Sequence, residues 1–102
     1  MLEAQALIAV GGDAETRRAI KILTAAKRSE RETPELYSQL AIAYGRMGDV
    51  ARAELSTAEA AMLTGDREIA MQRAESALRQ FKTGSPEWLR ANDILSFAKR
   101  KK

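Results

Sequence analysis

The chain of 102 residues contains no cysteine and no histidine. The first absence excludes disulfides, a thiolate nucleophile and a cysteine-based metal site. The second removes the side chain that most often serves as general base near neutral pH and as zinc ligand. Proline occurs twice and glycine six times, and the aromatic set is one tryptophan, two tyrosines and two phenylalanines. With Val, Ile and aromatic residues sparse, strands have little to be built from. Nothing alternates with period two over a useful length. No apolar run approaches the ~20 residues that cross a bilayer as a helix. The opening MLEAQALIAVGG places acidic Glu3 where a secretory signal carries basic residues, and its apolar run is too short for one. A helix that begins at once, without a cap, reads as part of a longer chain.

What remains is alanine-rich and charged. Hydrophobic residues make up 45% and charged residues 30%, the balance of one small folded domain and not of a disordered chain. Alanine loses little side-chain entropy in a helix, so the bias points to an all-α fold. The net charge is +3, but Lys99, Arg100, Lys101 and Lys102 supply four positive charges, so the rest of the chain is close to neutral. A basic tail on a neutral body reads as a solvated end; a nucleic-acid footprint needs charge clustered on a folded face. Binding of nucleic acid through this tail stands as the minor alternative, with steep salt dependence as its signature.

Six helices are expected. The first covers about Leu2–Val10 and ends at Gly11-Gly12. The second covers about Glu15–Lys27, with Ala19, Ile20, Leu23 and Ala26 at helical spacing. The third has Thr33 as N-cap, Pro34 at the first position and Glu35 at the positive end of the dipole, and it ends at Gly48. Leu36, Leu40, Ala43 and Met47 mark one side, and Tyr37, Ala41 and Tyr44 widen it. The fourth runs about Val50–Leu63, the fifth about Arg67–Phe81. The sixth repeats the start signal of the third with Ser85, Pro86 and Glu87, then places Trp88, Ala91, Leu95 and Ala98 on one face.

One interval recurs. In AYGRMGDVARAE, Gly48-Asp49 precedes Ala53 by four residues from the aspartate; in MLTGDREIAMQ, Gly65-Asp66 precedes Ala70 in the same way. The seventeen-residue step from Asp49 to Asp66 is one helix plus one turn, and two steps make a 34-residue unit. Residues 34–67 resemble the tetratricopeptide repeat: Tyr37 and Tyr44 at its aromatic places, Leu40-Ala41 at its leucine–small pair, Ala53 and Ala60 as small residues of the second helix. The resemblance implies a right-handed superhelix of antiparallel helix pairs. Residues 1–33 would then be a degenerate first pair, 67–98 a further pair with a capping helix, and 99–102 a basic tail. An ordinary helical bundle with coincidental glycines is the alternative. Around Gly12-Asp13 the alanine comes six residues later, at Ala19, which implies a longer loop or an extra half-turn. Because Gly65-Asp66 follows what should be a second helix, the fourth helix can close one repeat or open the next.

The run PELYSQLAIAYGRMGDVARAELSTAEAAMLTGDREIAMQRAESALRQFKTGSPEWLRANDIL is also similar to the C-terminal helical-repeat tail of bacterial zinc metallopeptidases of the BepA (YfgC) type. GSPEWLRANDIL is its more specific part. This resemblance implies a periplasmic tail of a protease, in contact with the peptidase domain, with outer-membrane assembly proteins or with substrates. Without it, the chain would read as a free-standing cytoplasmic adaptor. The peptidase's HExxH motif is absent from these residues, so no catalytic or metal residue carries over and no cofactor is expected.

Within the chain itself, Glu54 with Glu59 and Glu30 with Glu32 are the nearest carboxylate pairs, at spacings that do not share a helix face. They read as charges on solvated faces. Ser56 and Thr57 have no evident base. The expected role is therefore a non-catalytic platform for a protein or peptide. If the third helix follows the repeat's geometry, Glu35, Ser38, Ile42 and Arg46 line the groove, with Arg46 able to meet a partner carboxylate. Met62, Leu63 and Trp88 read as core. Leu2, Leu7 and Ile8 on the first helix are expected to be exposed, a surface through which two copies could associate.

Overall fold

The computed structural model describes residues 2–29 and 32–100, which form six α-helices and no strand. They are α1 (Leu2–Val10), α2 (Asp13–Ser29), α3 (Pro34–Arg46), α4 (Val50–Thr64), α5 (Arg67–Gln80) and α6 (Pro86–Arg100). The all-α class expected from composition is the one that forms. Glu30, of the second carboxylate pair, and Lys101 and Lys102, of the basic tail, lie outside the described residues.

Capping explains where the helices begin. Thr33 Oγ1 accepts from the Leu36 N–H at 3.2 Å and Ser85 Oγ from the Trp88 N–H at 3.2 Å, each followed by the proline that suits the first turn. The recurring Gly-Asp step closes one helix and starts the next within two residues. Gly48 (φ 78°) and Gly65 (φ 80°) take the left-handed conformation. The following amide then donates back to the finished helix, Asp49 N–H to Tyr44 O and Asp66 N–H to Ala61 O, both at 2.9 Å. The same aspartates accept from the first turn ahead, Asp49 Oδ1 from Arg52 N–H at 3.1 Å and Asp66 Oδ1 from Ile69 N–H at 3.2 Å. Connections this short reverse the chain and lay consecutive helices side by side. Around Gly11-Gly12 no long loop forms: α2 already begins at Asp13, so extra helix absorbs the offset of Ala19.

The interior falls into two apolar clusters. The first joins Ala4 and Ile8 of α1, Ala19 and Leu23 of α2, and Leu36, Tyr37, Leu40 and Ala43 of α3. The second joins Ala58 and Ala61 of α4, Ala70 and Ala74 of α5, and Ile94 and Ala98 of α6. Alanine makes up five of the six buried residues of the second, with Ile94 the one larger member and Leu55, Met62, Ile69, Met71 and Leu95 packed around it, and small side chains at the contact allow helices to approach closely. α4 supplies both: Ala60 packs on the first cluster while Ala58 and Ala61 belong to the second.

Each helix packs against its chain neighbours. Beyond these, α1 touches α3 and α4 touches α6, while among the described residues α2 does not meet α4 and α3 does not meet α5. The alternation that would bring α3 onto α5 is thus shifted by one helix at α4. This is the step at which the second Gly-Asp turn left the phase open.

Several side chains sit differently from expectation. Ile8 is buried in the first cluster, and the strongly exposed apolar residues of α1 are Leu2 and Val10. Leu63 is exposed, with Met62 half-buried above the second cluster. On α6 the inward residues are Ala91, Ile94 and Ala98, with Trp88 and Leu95 half-buried and Phe97 exposed.

Candidate functional site

Because α2 and α4 both pack on α3 but not on each other, a cleft opens over α3. Tyr37, Leu40 and Tyr44 of α3 line it together with Thr24 and Lys27 of α2. Arg52, Leu55, Ser56 and Glu59 of α4 and Glu87 of α6 complete it, around a volume of about 150 Å³. Lys27 Nζ lies 5.9 Å from the centroid of the Tyr37 ring, within cation–π range. The Tyr37 hydroxyl donates to the Glu32 carboxylate.

The charged groups are held in place. Arg52 donates through Nη1 to Asp49 Oδ2 at 2.9 Å and through Nη2 to Glu87 Oε2 at 3.1 Å, tying the start of α4 to the start of α6. Its guanidinium also lies 5.8 Å from the Phe81 ring centroid. Arg90 of α6 grips Glu59 with two bonds, Nε to Oε2 at 2.7 Å and Nη2 to Oε1 at 2.6 Å, the fork-to-fork geometry that planar guanidinium and carboxylate favour. Glu59 is only 8% exposed, so the expectation of a solvated carboxylate there is corrected: it is a buried anion with its partner reaching across from α6. Glu54 is likewise engaged, accepting from Ser76 Oγ at 3.0 Å with Arg73 at 3.5 Å.

Both guanidiniums are held above the usual arginine range. For Arg52 the largest cause is the hydrogen bond to Asp49, with Glu87 adding and burial opposing; for Arg90 it is the hydrogen bonding to Glu59, again opposed by burial. A cation whose value is raised on folding contributes stability in full below its unfolded value and loses it only as pH rises through the folded one. These braces therefore keep their positive partner past the pH at which an ordinary arginine titrates.

The two halves of the Glu59–Arg90 pair are not equivalent. The Arg90 side chain is 50% exposed and that of Glu59 10% exposed. Removing Arg90 leaves a buried carboxylate without a counter-charge, whereas removing Glu59 leaves a cation that water can reach. Arg90→Ala is expected to cost about 2 kcal/mol and Glu59→Ala about 1 kcal/mol, measured as shifts in urea midpoint at constant slope. Equal costs would mean that burial of Glu59 carries no penalty.

The groove residues expected from the sequence lie elsewhere on α3. Glu35, Ser38, Ile42 and Arg46 are all exposed, and at 3.6 residues per turn they fall on the side of α3 turned away from Tyr37 and Tyr44. Ile42 is 45% exposed, covered by neither α2 nor α6. Arg46 is engaged within the chain: its Nη1 donates to the Ile8 carbonyl in the last turn of α1. Tyr37 is buried and Tyr44 half-buried, as their aromatic places suggested, but nothing in the sequence hinted at the Arg52–Glu87 and Glu59–Arg90 pairs. Their partners lie 31 and 35 residues apart, beyond the reach of any local spacing rule.

Ser56 in the cleft and its neighbour Thr57 are the hydroxyls the sequence singled out. Thr57 Oγ1 is bound to the Ala53 carbonyl at 3.0 Å, and no hydrogen bond joins Ser56 to Glu59 among the described residues. Among the same residues no three of His, Cys, Asp and Glu converge as metal ligands, and no helix is long and apolar enough to cross a membrane. The chain matches no protein-family model, no curated protein and no solved structure.

Proposed function

We propose that this chain is a non-catalytic binding module for a protein or peptide, a tetratricopeptide-like array whose cleft over α3 receives one anchor side chain of an extended segment. The cleft carries the reading. Its ~150 Å³ is about five times the liquid volume of a water molecule and below the ~300 Å³ at which small-molecule sites begin. That suits a single side chain better than a free substrate. Tyrosine rings supply contact area, Lys27 and the Arg52–Glu87 pair supply fixed charges of both signs, and the carboxylates are occupied as acceptors, not held ready for proton transfer.

The likeness of residues 34–95 to the tails of BepA-type zinc metallopeptidases supports a periplasmic role beside such a peptidase, with substrates or outer-membrane assembly proteins as the bound class. Site-specific photo-crosslinking tests the module. A crosslinker at Tyr44 is expected to capture a protein that one at Gln72, on the exposed side of α5, does not. Indistinguishable patterns from the two positions would overturn the cleft as the site. Reading the gene around these codons tests the parent separately, since an HExxH helix in the same frame supports the peptidase and its absence removes it.

A further inference from the structure

A second surface lies at the far ends of α4 and α6. Two adjoining hollows meet there. One, of about 370 Å³, is lined by Ala61, Met62, Gly65, Arg67 and Phe97; the other, of about 400 Å³, by Met62, Arg90, Asp93, Ile94, Phe97 and Arg100 among others. They share Met62 and Phe97. Each is more than twice the volume of the cleft over α3, room for more than one side chain. The Glu59–Arg90 pair divides the two regions, with Glu59 lining the cleft and Arg90 the hollow.

The chemistry of the rim identifies the occupant. Three guanidiniums and one carboxylate surround the shared apolar floor. Arg90 is committed to Glu59, but neither Arg67 nor Arg100 has a carboxylate partner among the described residues. Elsewhere on α4 and α6 the arginines are used up in intramolecular pairs: Arg52 with Asp49 and Glu87, Arg90 with Glu59. With Arg90 neutralised by Glu59, Arg67 and Arg100 outnumber the one remaining rim carboxylate, Asp93. An apolar floor containing a methionine, which adapts its shape to what it meets, beneath this positive excess is complementary to an acidic segment carrying bulky apolar residues. We propose that the Met62–Phe97 hollows dock such an acidic, apolar-anchored segment of a partner protein, independently of the cleft over α3. The apolar anchor covers Met62 and Phe97, and flanking Asp or Glu side chains pair with Arg67 and Arg100, bidentate where geometry allows.

The test is a ¹⁵N NMR titration of the whole chain with a short capped peptide holding a Leu-Phe pair between runs of Asp and Glu. A control peptide carries the same Leu-Phe pair between runs of Lys. Saturable shifts confined to residues 61–67 and 93–100, weakened at high salt, are the expected result. The double variant Arg67→Glu/Arg100→Glu should lower the affinity about tenfold, a loss of ~1.4 kcal/mol, while Lys27→Glu in the cleft leaves it unchanged. Arg67 and Arg100 are exposed and neither has a salt-bridge partner among the described residues, so helicity of the double variant should match the parent. Phe97→Ser is the second variant, expected to abolish saturation with the spectrum of α1–α3 unchanged. Equal binding of the Lys-flanked peptide, shifts at Tyr37 and Tyr44 in place of Met62 and Phe97, or movement of the same amides on diluting the protein alone would each overturn the proposal. The last would assign the surface to a second copy of the chain.

Discussion

Leu23→Ala is expected to cost about 3–4 kcal/mol and to loosen one half of the molecule without the other. Leu23 is the largest side chain buried without residual exposure, and it sits where α1, α2 and α3 share one cluster. Domains of this size hold ~5–15 kcal/mol in total, so the loss is a large share of the whole. Its spread is set by topology. Among the described residues α1 and α2 reach no helix beyond α3, and α5 and α6 reach none before α4. Arrays in which units contact only near neighbours open in parts. Hydrogen exchange should show amides of α1, α2 and the start of α3 losing protection by two orders of magnitude or more, about 1.4 kcal/mol for each tenfold change, while α5 and α6 keep theirs. A uniform loss along the chain would mean a single cooperative core and would remove the two-cluster account.

Ala74→Leu is the converse experiment, with a cost of about 3 kcal/mol or more. Ala74 has no exposed surface and belongs to the alanine-rich cluster of α4, α5 and α6. All three of these helices touch one another, so α5 cannot tilt away from one neighbour without meeting the other. Three added carbons there must separate helix axes that small side chains allow to lie about 8 Å apart. Ala74→Gly removes a single methyl group and costs about 1 kcal/mol, mostly from helix propensity. The order is the informative result: the larger residue should destabilise more than the smaller, by thermal or denaturant melting. A Leu variant as stable as the parent would show spare room, and close approach would then not be what the alanines provide.

Helix ends were the most legible feature of this sequence, because caps are local. Thr33-Pro34, Ser85-Pro86 and both Gly-Asp steps mark boundaries that hydrogen bonds within five residues enforce. α2 alone runs further than expected at each end, Asp13–Ser29, since Asp13 and the Lys27-Arg28-Ser29 stretch are compatible with helix though they break the apolar stripe. Helix faces were less legible. Alanine fits any face, so on α6 the choice between Ile94 and Leu95 as the inward residue rests on large side chains spread around the circumference, and Ile94 proves the buried one. Leu63 reads as core by type but is half exposed in the last turn of α4, beside the turn at Gly65. Glu59 was legible only as a charge. Its burial depends on Arg90, which lies on a helix two steps further along the chain, and no spacing rule connects them. For the candidate site, the tyrosines could be placed from the repeat pattern, whereas the cleft they line exists because α2 and α4 fail to meet, a property of packing and not of any single segment.

α4 presents Ala60 to one cluster and Ala58 and Ala61 to the other, and sends Arg52 and Glu59 to α6. Sequence drift at either end of this chain has somewhere to be absorbed: a changed α1 or α6 asks only one set of neighbours to adjust. A change in α4 asks both sets at once. Its fifteen residues are consequently the stretch on which inherited variation should be most restricted.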